Sequence, residues 1–159
     1  MRLVIASALV LAVAACSPKP ADAPQASAPA TPSYAYDIAL SFTPAAVDKI
    51  TKHGDKMTIS ALYYGNATPA TVALADAKDG TIHLTTDTVE VDAKDQTVHM
   101  TGAGVNVPNL QKITEKKPLV QVTTFASKAG KKDPIVNCSV FQDYVANAQP
   151  RIPVRCDAS

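Results

Sequence analysis

The chain has 159 residues, 47% of them hydrophobic, with 5% aromatic residues and no tryptophan, so a single domain must build its core mainly from Val, Ile, Leu and Ala. The formal net charge is +1, and residues 34–159 carry thirteen basic and thirteen acidic side chains. This balance argues against a general nucleic-acid binder, which normally has a surplus of basic residues.

The chain begins with a short apolar leader. Arg2 precedes a run of thirteen mainly apolar residues, 3–15, and small residues stand immediately before Cys16. A helix that crosses a bilayer core of about 30 Å needs about 20 apolar residues, so this run is too short. A positive start, a short apolar run and a small-residue cut point are typical of a secretory signal peptide. A buried N-terminal helix and plain secretion with cleavage after Ala15 are the alternatives.

The end of the leader, Val13-Ala14-Ala15-Cys16, resembles the lipobox of bacterial lipoproteins. The resemblance implies that residues 1–15 are a removed signal peptide and that Cys16 is the lipidated mature N-terminus, with palmitate among its acyl chains. Two or more acyl chains anchor a protein stably to a membrane. The same resemblance implies a location in the bacterial cell envelope. In a Gram-negative organism this is the outer membrane facing the periplasm, because Ser17 rather than Asp follows the cysteine. Beyond this covalent lipid, we expect no cofactor.

Residues 16–33 form a predicted tether. After the cysteine, the segment is built almost wholly from Ala, Pro and Ser and includes five prolines. It has too little apolar surface to offset the entropy of ordering it, so we expect disorder. The prolines favour extended polyproline II at about 3.1 Å per residue, a reach of roughly 50 Å. We expect the tether to hold one folded domain, residues 34–159, clear of the membrane.

Most of the domain alternates apolar and polar residues, which predicts half-buried strands. Such strands are predicted over residues 36–42, 57–63, 69–75, 119–125 and 151–156. Thr43 followed by Pro44 predicts the start of a short helix, and Gly54 predicts its end. Residues 107–113 and 140–148 predict two further helical segments, the second because apolar residues recur there at helical spacing.

An internal sequence repeat follows the third predicted strand. Residues 76–84, DAKDGTIHL, recur sixteen positions later as residues 92–100, DAKDQTVHM. Each copy is a polar turn that leads into an alternating strand, which predicts two consecutive hairpins. The predicted inward residues are Ile82, Leu84, Val89, Val91, Val98 and Met100, and the predicted outward residues are Thr88, Glu90, Thr97 and His99. Seven or eight short strands with one to three short helices predict an antiparallel β-sandwich, with an open barrel as the alternative.

Cys138 and Cys156 are an even pair in a protein expected to be exported. This predicts a disulfide that closes a loop of nineteen residues. A redox-active pair is the alternative, although the spacing is unlike C-x-x-C. Zinc binding would need further His or Cys ligands nearby. We expect the disulfide to be a structural staple on the C-terminal strand.

Candidate binding residues come from this sequence repeat and from one basic loop. His83 and His99 occupy equivalent positions in the two copies and could share a sheet face, which makes them candidate metal ligands. Two histidines make a poor metal site without a third ligand. Lys128, Lys131 and Lys132 mark an exposed loop that could bind a partner, because rigid scaffolds present binding loops well.

The sequence shows no catalytic pattern such as G-x-S-x-G, and no catalytic residue is predicted. The predicted function is a non-enzymatic binding or envelope-structural β domain on a membrane-anchored lipoprotein. Its partner would be an envelope protein or a cell-wall component. One alternative is a periplasmic inhibitor or immunity protein that blocks a wall-degrading enzyme. The other is an enzyme whose site is assembled from residues that no motif connects.

Overall fold

The computed structural model describes residues 33–105, 107–127 and 135–159. The predicted signal peptide, Cys16 and the tether up to residue 32 lie outside this part of the chain, as do Lys128, Lys131 and Lys132. The described residues form eight strands and three short helices. The prediction of a mainly β domain is confirmed.

The elements follow in chain order. The strands are β1 Tyr36–Phe42, β2 Lys56–Asn66, β3 Thr81–Val91, β4 Gln96–Met100, β5 Leu119–Ser127, β6 Val136–Cys138, β7 Phe141–Tyr144 and β8 Arg151–Ala158. The helices are α1 Pro44–His53, α2 Val107–Leu110 and α3 Val145–Ala148, and 3-10 turns span Val72–Leu74 and Thr114–Lys116.

The strands form two four-stranded sheets in a sandwich-like arrangement. The strand order is β4-β1-β8-β6 in the first sheet and β3-β2-β5-β7 in the second sheet. All strand pairs in these sheets are antiparallel except the parallel pair of β1 with β8. The predicted sandwich is confirmed, with one parallel pair in the centre of the first sheet.

One hydrophobic core fills the space between the sheets. Side chains alternate between the two faces of a strand, so every second residue of β2 points into this core. These residues are Met57, Ile59, Ala61 and Tyr63, each with 0% of its surface exposed. Gly65 continues the series, where a Cβ atom would lie 2.7 Å from the side chain of Ile113. The side chain of Ile113 therefore packs directly against the backbone of β2, where β2 carries no side chain.

Helix α1 begins and ends as the sequence predicts. The Thr43 hydroxyl accepts a hydrogen bond from the Ala46 amide at 3.4 Å, which caps one of the free N–H groups of the first turn. Gly54 ends the helix in the left-handed conformation, with φ of 68°, which glycine adopts without steric cost. Ala46 and Ile50 are buried, so the short helix closes one end of the sandwich.

Residues 69–75 do not form the predicted strand. They lie in a loop with a 3-10 turn, where Val72 and Leu74 are exposed. The Thr71 hydroxyl explains the difference, because it accepts from the Thr68 amide at 2.9 Å and donates to the Lys112 carbonyl at 2.7 Å. These bonds fold the segment back on itself, a role that threonine often takes in turns.

Neither hairpin predicted from the repeat is correct. Strand β3 pairs with β2 and not with residues 69–75, and β3 and β4 belong to different sheets. Side chains of the turn direct the crossing: Asp92 pairs with Lys56 of β2, and the Asp95 carboxylate accepts from the Phe42 amide of β1 at 2.9 Å. The facing of the two strands is confirmed. The predicted inward residues are buried or half-buried, and the predicted outward residues are exposed.

The predicted helix between the cysteines is only partly correct. Residues 141–144 form strand β7, which pairs with β5, and the helix spans only Val145–Ala148. The apolar spacing arises because Phe141 packs on the core from the strand, while Val145 and Ala148 reach it from the helix. In the sequence, apolar residues that belong to a strand and to the helix after it have the same spacing as the apolar face of one longer helix.

The predicted disulfide between Cys138 and Cys156 is present. The two cysteines are register partners in β6 and β8, so the bond ties a three-residue edge strand to the C-terminal strand. Closing a loop of this length stabilises a fold by about 3 kcal/mol in chain-entropy estimates. The described strands, their shared hydrophobic core and the disulfide all lie within one compact unit, Pro32–Ser159.

Candidate functional site

The two candidate metal ligands lie in different sheets, not on one shared face. His83 is on β3 of the second sheet, where its Nε2 lies 2.8 Å from an Asp79 carboxylate oxygen. His99 is on β4 of the first sheet, where its Nδ1 lies 2.9 Å from an Asp37 carboxylate oxygen. Each histidine is thus paired with a nearby carboxylate. Metal binding by the two together stays a prediction.

The side of the second sheet that points away from the core carries polar side chains from all four of its strands. We call this side the outer face. Its residues stand in four register rows: Glu90, Thr58 and Phe125; then Thr88, Ser60 and Thr123; then Thr86, Leu62, Gln121 and Gln142; then His83, Tyr64, Leu119 and Tyr144. The rows are fixed by the pairing of the strands, so the backbone positions these side chains.

A concavity of about 260 Å³ lies at one end of the outer face, and we call it the Tyr64 concavity. Its lining residues are Leu62, Tyr64, Asp79, Thr81, Gln121 and Gln142. They come from β2, β5 and β7 and from the beginning of β3 with the turn that precedes it. One carboxylate, two carboxamides and one phenol therefore surround a small space, a combination that is suited to polar recognition.

The Asp79 carboxylate is held in its ionised form. Its pKa is lowered to about 2, first by the hydrogen bond from the Thr81 amide and then by the His83 side chain and the Thr81 hydroxyl. The amide lies at 2.9 Å and the hydroxyl at 2.8 Å from the same carboxylate oxygen. Hydrogen bonds to the charged form favour that form, so Asp79 is a fixed acceptor near neutral pH.

Tyr64 is nearly buried, with 8% of its surface exposed, and its oxygen accepts a hydrogen bond from Gln142 Nε2 at 2.6 Å. This bond reaches across β5, which lies between β2 and β7. It holds the carboxamide of Gln142 in one orientation, while the carboxamide oxygen stays an additional acceptor. The wall of the Tyr64 concavity is thus preorganised on that side.

Sequence reasoning missed Gln121, Gln142 and Asp79 as members of one site. Tyr64 and Gln142 are 78 positions apart in the chain, so no local pattern connects them. The one available signal was the Tyr63-Tyr64 pair at a strand end. Of these two, Tyr63 lies in the core, and only Tyr64 belongs to the concavity.

A second polar cluster lies between the sheets. The rings of Tyr36 and Tyr63 are 6.5 Å apart, and both side chains are buried. Burial raises the pKa of Tyr63 to about 12 and raises that of Tyr36 further, and the Asp87 carboxylate adds to both shifts. The Asp87 carboxylate also accepts from the Gly102 amide at 3.0 Å, and it lines an open concavity of about 320 Å³ beside His99. The cluster joins β1, β2 and β3 across the core.

Comparison with known proteins gives no guide to function. No family model matches the chain, and no match is found among curated proteins or solved structures. Among the described residues, no three His, Cys, Asp or Glu side chains form a cluster that could hold a metal ion. None of the helices in that part of the chain is long and apolar enough to cross a membrane.

The buried tyrosines predict a loss of stability at alkaline pH. The folded pKa of Tyr63, about 12, lies above its unfolded value, so its stabilising effect is complete below about pH 10 and is lost as the pH rises through about 12. The full loss is on the order of 2–3 kcal/mol in the free energy of unfolding. Urea unfolding between about pH 8 and about pH 11 measures the first part of this loss, which should grow steadily above about pH 10.

Tyr63→Phe should reduce this alkaline loss, because the variant has no phenol to ionise at that position. Tyr144→Phe, at an exposed position, is the matched control and should lose stability as the parent chain does. An equal alkaline loss in Tyr63→Phe and in the parent would show that the buried phenol is not its source.

Proposed function

We propose that this chain is a lipid-anchored protein of the bacterial cell envelope whose domain is a non-enzymatic binding module. The leader that ends at Cys16, followed by a proline-rich tether, supports the anchor. The Tyr64 concavity supports the binding module. In this proposal the tether gives the domain reach, and the outer face carries the ligand site.

The observation that carries the proposal is the fixed orientation of the polar groups around the Tyr64 concavity. The Asp79 carboxylate accepts hydrogen bonds from the Thr81 amide and hydroxyl, and the Gln142 carboxamide donates to the Tyr64 oxygen. Asp79 is ionised near neutral pH and offers hydrogen-bond acceptors to a ligand. Beside it, Gln121 and Gln142 offer donors and acceptors that do not change with pH. The site is therefore equipped to hold a ligand.

The anchor has a direct test. Cys16→Ser removes the atom to which the lipid would attach, so we expect the protein to move from the membrane fraction to the soluble envelope fraction. Fractionation followed by immunoblotting measures this, and Ala21→Ser in the tether is a control that should leave the protein in the membrane. Membrane association of Cys16→Ser at the parent level would contradict the lipid anchor.

The binding module is tested by capture from an envelope extract with residues 33–159 as bait. We expect at least one component to be retained near stoichiometry. The double variant Gln121→Ala with Gln142→Ala should retain at least about tenfold less of this component, because two polar contacts are removed. Gln111→Ala changes an exposed glutamine outside the register rows and is the matched control.

Mass spectrometry and quantitative gel analysis measure the retained material. Equal melting temperatures of the parent and the variants would show that the fold is intact. Retention that is the same with and without the two glutamines, or no retained component at all, would contradict a binding role for this site.

A further inference from the structure

The outer face is organised along its whole length, beyond the Tyr64 concavity. Thr88, Ser60 and Thr123 place three hydroxyl groups side by side in one row. The next row adds a fourth hydroxyl from Thr86 and the carboxamides of Gln121 and Gln142, with one aliphatic side chain among them. The two central rows are thus uncharged and rich in groups that both donate and accept hydrogen bonds.

Exposed aromatic rings lie on either side of the two central rows, one in each of the flanking rows. Phe125 has 41% of its surface exposed and Tyr144 has 38%. Phe125 is six residues from the register partner of Tyr144 along β5, which corresponds to about 20 Å at the usual strand rise. Threonine is common on the solvent side of strands because it suits a pleated surface. Aromatic residues favour strands for the same reason, but Phe125 and Tyr144 also leave large ring surfaces exposed, against which a ligand can pack.

The charged side chains of the outer face lie at its ends. Lys56 and Glu90 lie near Phe125, and Asp79 with His83 lies at the opposite end. Lys56 is already paired with Asp92, and Asp79 with His83. A charged ligand along the centre would find no opposite charge in the two central rows, so the face is complementary to an uncharged chain.

We infer that the ligand of the outer face is an extended, uncharged, polyhydroxylated chain, such as a glycan strand, that lies along the sheet from Phe125 to Tyr144. This inference rests on the proposed function and names its ligand class. The hydroxyls and carboxamides of the central rows exchange hydrogen bonds with the sugar hydroxyls. The two aromatic rings pack against the apolar C–H faces of the sugar rings. The Tyr64 concavity receives one sugar substituent at the Tyr144 end.

The test is isothermal titration of residues 33–159 with β-1,4-linked hexasaccharides of glucose and of N-acetylglucosamine. We expect at least one hexasaccharide to bind, and we expect the corresponding disaccharide to bind at least about tenfold more weakly, because it cannot reach both aromatic rings. Binding should change less than about twofold between low and high salt, since an uncharged ligand has no charge to screen.

Variants of the two aromatic residues locate the binding surface. Phe125→Ala and Tyr144→Ala should each weaken hexasaccharide binding about fivefold. The two effects should multiply, because the rings are too far apart to interact. Leu74→Ala and Thr97→Ala remove exposed side chains outside the register rows and are the controls.

Failure of this inference can be told from failure of the proposed function. If neither hexasaccharide binds, or if binding is unaffected by Phe125→Ala and Tyr144→Ala, the glycan ligand is overturned. The proposed function still stands in that case if capture from envelope extract depends on Gln121 and Gln142, and the retained component is then a protein or a peptide. If neither hexasaccharide binding nor glutamine-dependent capture is observed, both proposals are overturned.

Discussion

Strand β2 sets the placement of both faces of the second sheet. Four of its side chains fill the core without exposure, and Thr58, Ser60, Leu62 and Tyr64 alternate with them and point to the outer face. A shift of one residue in pairing would move Met57, Ile59 and Tyr63 to solvent and bring Leu62 and Tyr64 inside. The buried side chains therefore fix the register, and the register fixes the rows of the outer face. Packing in the core is in this way a condition for the geometry of the candidate site.

The first sheet supports this arrangement from the other side of the core. Its central strands β1 and β8 run parallel and contribute Ile38, Leu40, Ile152 and Val154 to the shared core. The disulfide fastens the short edge strand β6 to β8. The first sheet packs through the shared core against the inner side of β2 and β5. The outer face is therefore a side of a well-packed sheet, and binding there costs little ordering of the backbone.

The local features of the fold could be predicted from the sequence, and the long-range ones could not. Thr43 and Gly54 set the two ends of helix α1 through contacts within a few residues. The alternation of apolar and polar residues in β1 is visible in the sequence without knowledge of its partner strands. The path after β3 depends on Asp92 and Asp95, which bind residues of β2 and β1 far away in the chain. The same difference applies to the site. The bonds of Asp79 are local, whereas the contact of Tyr64 with Gln142 exists only after three strands have paired.

In the proposed binding mode, the register of β2 presents one ligand-binding surface on the outer face. Amide and side-chain NMR shifts of residues 33–159, followed during titration with the β-1,4-linked hexasaccharides, test it most directly. We expect shift changes concentrated on the outward residues of β2, β5 and β7, with the side-chain amides of Gln121 and Gln142 among them, and little change in β4, β1 and β8. Changes confined to the first sheet or to the loops, with the outer face unaffected, would contradict it.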